Sequence, residues 1–448
     1  MSDTTACFID VAQLRIGLFV YLDTGWMGHP FALNSFKITS HDQIDVIRGL
    51  GLKRLRYSPE KSDPPQADAA SLTGGDAAET ATSAAHTAGD GATDDGATAV
   101  PSPTAALPGV TLAREERREL LASQRASLQL CERQFSAASR AYRQLLDAAR
   151  QQPAQAHEQA HALVDGLIGQ MLDQRESSIR LLSEKVGERT SLHAVNVAVI
   201  ALLCGKASDL PAEQLSTVGL GALLHDIGKI ELPDRLRWRD DGFTAAEEQL
   251  YREHVGHGVR LAARMGLARD VQLVITQHHE HADGSGFPLK LRGEQIHPAA
   301  RIVALVNHYD NLCNPTNPAL ALTPHEALSV IFAKHRAHVD ARLLGLFIRM
   351  MGVYPPGSVI ELNDGRYALV VSVNSSRPLK PRIVIHDTHV PPEEALVVDM
   401  EQTPELGIRR SLKPLQLPRA AFDYLSPRQR MCYFFERARE AGEDDGPL

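Results

Sequence analysis

The chain has 448 residues, with 47 lysines and arginines against 55 aspartates and glutamates, for a net charge of −8. Eight acidic residues against Lys61 alone between Pro59 and Leu112 place −7 of that charge in one stretch; the rest is nearly neutral, which excludes a nucleic-acid polymer as partner. The five cysteines are scattered without a paired motif, and no apolar run approaches the roughly 20 residues needed to cross a bilayer, so a reducing, cytoplasmic setting without disulfides or a membrane span is expected.

Residues 1–57 read as a small α+β domain. Phe8–Val11 and Gly17–Leu22 have the texture of short strands, Ser40–Arg48 has a cap-like start and helical apolar spacing, and Lys53–Tyr57 suits a returning strand. Residues 58–112 are Ala, Thr, Gly, Ser, Asp and Pro with almost no large apolar side chain. Such a segment buries too little surface to offset its chain entropy and is expected to be a disordered linker. In 113–187, Leu121, Leu128, Phe135 and Tyr142 recur every seven residues, and a second helical stretch after Pro153 carries Leu163, Leu167 and Met171, then Ile179, Leu182 and Val186. This predicts a helical hairpin that either packs on the next domain or serves as a dimerising stalk.

From 188 to 352 the spacing is helical almost throughout, as in Val195, Val199, Leu202 and Leu203, and predicts an all-helical bundle. From 353 to 448, β-branched runs at Val359–Leu362, Tyr367–Val373, Arg382–Ile385 and Ala395–Val398 predict a small antiparallel β appendage, closed by a terminal helix over 426–441. The fold class is therefore mainly α.

Nine of the 19 histidines lie between His193 and His308. The spacing puts His193 early in one helix, His225 and Asp226 at the end of another, His254 at the start of a third and His278 and His279 at the close of the next. Helical bundles gather metal ligands in this way. Imidazole and carboxylate suit divalent transition metals, and an adjacent His-Asp pair can serve two ions, the carboxylate bridging them. Two such ions would bind the oxygens of a phosphodiester and activate a water. Lys229, one turn beyond Asp226, is placed to neutralise a phosphate oxygen or orient that water. Asp283-Gly284-Ser285-Gly286-Phe287-Pro288 is a tight loop beside two candidate ligands, either substrate-facing through Gly284, Gly286, Phe287 and Pro288 or a plain turn.

Taken together, His193, the His-Asp-Ile-Gly-Lys run at 225–229, His254 with Gly258, His278-His279-Glu280 and the loop at 283–288 resemble an HD-GYP domain. These domains are HD phosphohydrolases that cleave the bacterial messenger cyclic di-GMP. Residues 1–57, with Leu14–Val20 and the Trp26–Phe31 pair, resemble the small domain of unknown function that often precedes them. The resemblance implies two metals, iron or manganese, held by His193, His225, Asp226, His254, His278, His279 and, where the family has an aspartate, Asn307. Lys229 and Asp226 would act in catalysis, with pGpG or GMP as products. Diguanylate cyclases or other signalling proteins are further partners it suggests. Phe287 replaces the signature tyrosine, Asn314–Pro318 replaces an Arg-Pro-Tyr segment, and Arg189 stands where three-metal members carry a glutamate. Of the two neighbours that offer a replacement for the lost carboxylate, His308 and Asp310, helical direction argues against Asp310. Either a phosphodiesterase of reduced activity or a non-catalytic module that responds to cyclic di-GMP or binds partner proteins fits this pattern. An HD phosphohydrolase acting on mononucleotides fits the glycine-rich loop less well.

Overall fold

The computed structural model describes residues 7–22, 35–38, 41–49, 52, 54–63, 114–172, 177–183, 189–239, 242–374 and 377–437. The Trp26–Phe31 pair and almost all of the expected linker lie outside these residues. The chain divides into two compact units, 1–110 and 111–448.

The first unit is a four-stranded antiparallel sheet in the order β1-β4-β2-β3, with β1 at Cys7–Asp10, β2 at Phe19–Tyr21, β3 at Ser35–Lys37 and β4 at Arg54–Ser58. Helix α1, His41–Gly49, packs on it through Ile44 and Ile47, which share a core with Leu14, Leu18, Val20 and Leu55. Ordered contacts run past residue 57: Ser62 Oγ accepts from Phe19 N at 2.8 Å, and Asp63 binds Lys37 Nζ at 2.6 Å.

The second unit opens with the hairpin α2 (Arg114–Ala148) and α3 (Pro153–Leu172). The heptad seam is buried within the chain from Cys131 onward, through Phe135, Ala138, Tyr142 and Leu145, against the helices that follow. The expected helical run to Val186 is corrected here. Helix α3 stops at Leu172, and Ser177–Leu181 is a strand, β5, because Ile179 and Leu181 find buried places in a sheet that local periodicity could not announce.

Helix α4 (Arg189–Ala207) forms the axis of the bundle. It is buried on nearly all sides, as a helix surrounded by others must be, with Val195, Val197, Ala198, Val199 and Ile200 fully buried. Around it stand α5 (Ala212–Leu224), α6 (Ala245–Arg252), α7 (His254–Met265), α8 (Arg269–Gln277), α9 (Pro298–Cys313), α10 (Pro324–Lys334) and α11 (Ala341–Met351). Thr244 with Glu247, and Thr323 with Glu326, form capping boxes that fix where α6 and α10 begin. Among the described residues no helix is long and apolar enough to cross a membrane.

The C-terminal part adds β6 (Val359–Leu362), β7 (Tyr367–Asn374), β8 (Arg382–Ile385), β9 (Val397–Asp399), β10 (Ile408–Leu412), helix α12 (Arg419–Leu425) and β11 (Tyr433–Arg437). All pairings are antiparallel, along β10-β6-β7-β5-β11, with β8 joining β7 to β9. The sheet is thus not built from the C-terminal segment alone, since β5 fills its interior. The terminal helix expected over 426–441 is likewise corrected: the helix falls earlier, at Arg419–Leu425, and Tyr433–Arg437 is a strand. Tyr433, Phe434 and Phe435 are all buried, and a β-strand between β5 and the bundle accommodates three consecutive buried aromatics that no single helix face could.

Candidate metal centre

The helix ends fall where the spacing put them. His193 lies in the first turns of α4, His225 caps α5 with Asp226 next to it, His254 is the first residue of α7, and His278 caps α8 with His279 following. A 3-10 turn, Ile227–Glu231, then carries Lys229. Gly228 lets this turn lie against α7: a Cβ there would stand 1.9 Å from the carbonyl oxygen of His254 and 2.3 Å from the nitrogen of Gly258. Glycine at 228 therefore sets the distance between Asp226 and His254.

These residues form two groups of possible ligands that share one carboxylate: Asp226, His254, His278 and His279, and His193, His225 and Asp226. Asp226 Oδ2 lies 3.4 Å from His225 Nε2 and 3.6 Å from His193 Nε2. Its Oδ1 lies 3.5 Å from His254 Nε2 and 3.7 Å from His278 Nε2. Donor atoms bound to one ion at about 2.0–2.2 Å sit roughly 3–3.5 Å apart, so both spacings suit cations.

The tautomers strengthen this reading. His225 Nδ1 donates to the carbonyl of Ala222 (2.7 Å), His254 Nδ1 to that of Tyr251 (2.5 Å) and His278 Nδ1 to that of Ile275 (2.8 Å). His193 Nδ1 donates to Asp310 Oδ2 at 2.6 Å. With the proton on Nδ1, each neutral ring presents a lone pair at Nε2. Those lone pairs face one another, His193 with His225 at 3.2 Å and His254 with His278 at 3.4 Å, which only a cation between them would favour. Asp226 Oδ1 is buried and has no hydrogen-bond partner among the described residues, an orphaned anionic oxygen aimed into the same space. The donor set fits divalent transition metals.

Electrostatics prepares the ligands. Burial, reinforced by Lys229 and His278 against the pull of Asp226, pushes His254 down to about 3. Burial likewise lowers His225, and it lowers His279 far below the usual imidazole value with help from His278 and His254. Burial alone would raise the Asp226 carboxyl, but Lys229 and His225 outweigh it and hold the group well below the carboxylate range. For Lys229, burial works against its charge, yet Asp226 keeps the ammonium above its ordinary value. Lys229 Nζ donates to Asp226 Oδ2 at 2.6 Å and lies 5.2 Å from the centre of the Tyr251 ring.

Asp310 also reaches the centre from α9. It does so by holding His193 rather than by replacing a ligand. Asn307 itself is buried, and its Oδ1 accepts from Asn311 Nδ2 at 2.6 Å. The Arg189 side chain lies outside the described ones.

The glycine-rich loop folds over the last histidines. Phe287 stacks on His279 with ring centres 4.5 Å apart, and the Arg252 guanidinium lies 4.7 Å from the Phe287 centre. Gly286 runs so close beneath that an added Cβ would stand 2.5 Å from the carbonyl oxygen of His279. Buried Glu280 accepts the amides of Leu289, Lys290 and Leu291, fixing the far side of the loop, where Pro288 follows a cis peptide bond; Gly284 packs against the Arg292 side chain. A small pocket opens on His193 and Lys229, lined also by Arg239, Asn311, Thr316 and Arg430. Sequence spacing gave no sign of Arg239 or Arg430, which are cationic residues brought in from a loop and from the C-terminal segment.

Residues 173–343 match the HD domain family, and residues 7–160 match a domain of unknown function, DUF3391. The chain thus matches an HD domain with a DUF3391 domain in front, in keeping with its resemblance to HD-GYP proteins. It is 29% identical over 385 residues to cyclic di-GMP phosphodiesterase PA4108 of Pseudomonas aeruginosa, covering 84% of each chain. It is 28% identical to the cyclic di-GMP phosphodiesterase response regulator RpfG of Xanthomonas campestris, over 45% of this chain and 55% of that one. Among solved structures, an HDG"Y"P protein of Bdellovibrio bacteriovorus, Bd1817, aligns over 76% of this chain and 97% of its own, with 14% identity and a TM-score of 0.38. The DUF3391 match runs well beyond residue 57, through the acidic stretch and into α3.

Proposed function

We propose that the chain is a metal-dependent phosphodiesterase that hydrolyses cyclic di-GMP to pGpG and, after a second cut, GMP. One observation carries this reading: the two oxygens of Asp226 face two sets of histidines whose Nε2 lone pairs converge. We assign His193, His225 and Asp226 to one ion and Asp226, His254, His278 and His279 to the other, with Asn307 a further ligand candidate. Iron or manganese suits the mix of imidazole and carboxylate. Bound ions would supply Lewis acidity at the phosphate and lower the pKa of a water.

The protein's own groups complete the chemistry. Attack of water on phosphorus breaks the bond to the 3′ oxygen, which takes a proton as it leaves. Lys229 Nζ donates hydrogen bonds to a non-bridging phosphate oxygen while Asp226 Oδ2 keeps it charged and oriented. Arg239 and Arg430, at the pocket wall, are placed to meet the second phosphate, the role left open by the missing Arg-Pro-Tyr segment. Phe287, packed on His279, closes one side. The names of the relatives support cyclic di-GMP as the substrate.

The test is direct. Full-length protein loaded anaerobically with iron, or with manganese, is incubated with cyclic di-GMP and with cyclic GMP-AMP, and products are separated by chromatography. Linear pGpG from wild type, absent with Asp226→Ala, is expected. Tight binding of cyclic di-GMP by metal-loaded protein without any product would establish instead the non-catalytic reading favoured by Asn307.

A further inference from the structure

A second cluster of ligand-type residues lies outside the centre described above and shares no residue with it. His281, Asp283 and His338 each offer a donor atom, all within 4.8 Å of one another. His338 Nε2 stands 3.7 Å from Asp283 Oδ2. The other Asp283 oxygen, Oδ1, is already used, accepting from Ser285 N at 2.9 Å and Ser285 Oγ at 2.7 Å, which turns Oδ2 toward His338. His281 Nδ1 is engaged by Ser285 Oγ at 2.9 Å, leaving Nε2 for a ligand. Behind His338 stands His335, its ring parallel to within 7° and centred 5.3 Å away, and His335 Nδ1 is bonded to His308 Nε2 at 2.8 Å.

We propose that His281, Asp283 and His338 form a separate site for one borderline divalent ion of the zinc class. Two imidazoles and one carboxylate are a donor set such ions favour, with the fourth position left for His335 or water. The rings of His281 and His338 are stacked, 4.4 Å apart and 6° from parallel. Parallel rings at that separation cannot both hold an ion in their planes, so binding tips one of them. His338 belongs to a 3-10 turn, Arg336–His338, between α10 and α11, whereas His281 and Asp283 begin the loop that carries Phe287. One backbone bond already joins the two, Ala282 N to His338 O at 2.8 Å. An ion here adds side-chain bonds across the same joint and fixes the loop that covers His279.

The full-length protein, stripped of metal, is titrated with Zn²⁺ alone as wild type, as His338→Gln, as His225→Ala/His254→Ala, and as the triple variant. His338 is a third exposed, so its replacement spares the fold. Wild type is expected to bind one ion more than His338→Gln, and the double variant to keep one ion that the triple variant loses. Zn²⁺ is expected to protect Lys290 and Arg292 from trypsin in wild type and not in His338→Gln. Equal ion counts in wild type and His338→Gln overturn the proposal. Equal counts in wild type and the double variant would instead break the assignment of the main centre and leave this one standing.

Discussion

The helical bundle and the C-terminal sheet treat the same centre in opposite ways. The bundle supplies the proposed ligands, each from a helix end, and orients three of the rings with carbonyls three residues back in the same chain segment. The sheet supplies none of these side chains but governs His193, whose Nδ1 is held by a carboxylate in place of a carbonyl. Asp310, which holds His193, accepts at Oδ1 from Asn196 and from Asn314, both at 2.9 Å. Those two amides also donate to the carbonyl of Met431, at 2.6 and 3.0 Å, and Asn196 Oδ1 accepts from Tyr433 N at 3.0 Å. Three of the five rings are thus set by local carbonyls and His279 stacks on Phe287, whereas His193 depends on residues more than a hundred positions away in sequence. Ligand chemistry and ligand placement are separable properties of this molecule.

The largest break in that comparison comes from removing the shared carboxylate. Asp226→Ala is expected to empty both halves of the centre and lower hydrolysis by on the order of a thousandfold or more, about 4 kcal/mol, read by ion content and product formation. Asn196→Ala leaves Asp310, Met431 and Tyr433 each short of a partner and should cost about 2–4 kcal/mol of stability in a denaturant titration. A loss of stability with unchanged metal affinity would show that the sheet props the bundle without governing His193. Asp310→Asn keeps the shape but weakens the acceptor for His193 Nδ1; metal affinity should fall about 10- to 100-fold with a small change in stability. Arg430→Ala should raise KM about tenfold, about 1.4 kcal/mol, and leave ion content unchanged. Smallest is Asn307→Asp, which adds an anionic oxygen beside Asn311. A gain in occupancy and turnover of at most about tenfold is expected, and no change in either would place residue 307 outside the ligand set.

The same division explains what could be read from the sequence. The convergence of these histidines on Asp226 was legible because its causes are local. His225 and Asp226 are neighbours, Gly228 and Gly258 mark where two backbones touch, and caps and breaks locate the helix ends that carry the histidines. Three of the four strands of residues 7–58 were legible for the same reason, while β3 at Ser35–Lys37 was not. Asp310, Asn196 and Arg430 were not, since their roles exist only once α4, α9 and the segment before β11 have met. Ile179 fits an extended pattern with Leu181 and a helical one with Leu182, so the choice of strand for Ser177–Leu181 was made by its partners. The terminal strand was missed likewise: three adjacent aromatics carry no period of their own, and pairing with β5 decides.

That pairing has a consequence for how the molecule is made. Arg180 and Glu436, buried together with Nη1 and Oε2 3.4 Å apart, are 256 positions apart in the chain. As the protein emerges from the ribosome, β5 appears before any of the bundle and waits, with both edges unpaired, through the synthesis of every helix from α4 to α11. Its first partner, β7, comes only after them and its second, β11, later still. Closing a loop of that length costs on the order of 5 kcal/mol of chain entropy, so the clasp forms late and the waiting strand is open to wrong partners. A nascent chain released short of Tyr433 would carry every proposed metal ligand and still lack the strand whose backbone helps to fix His193.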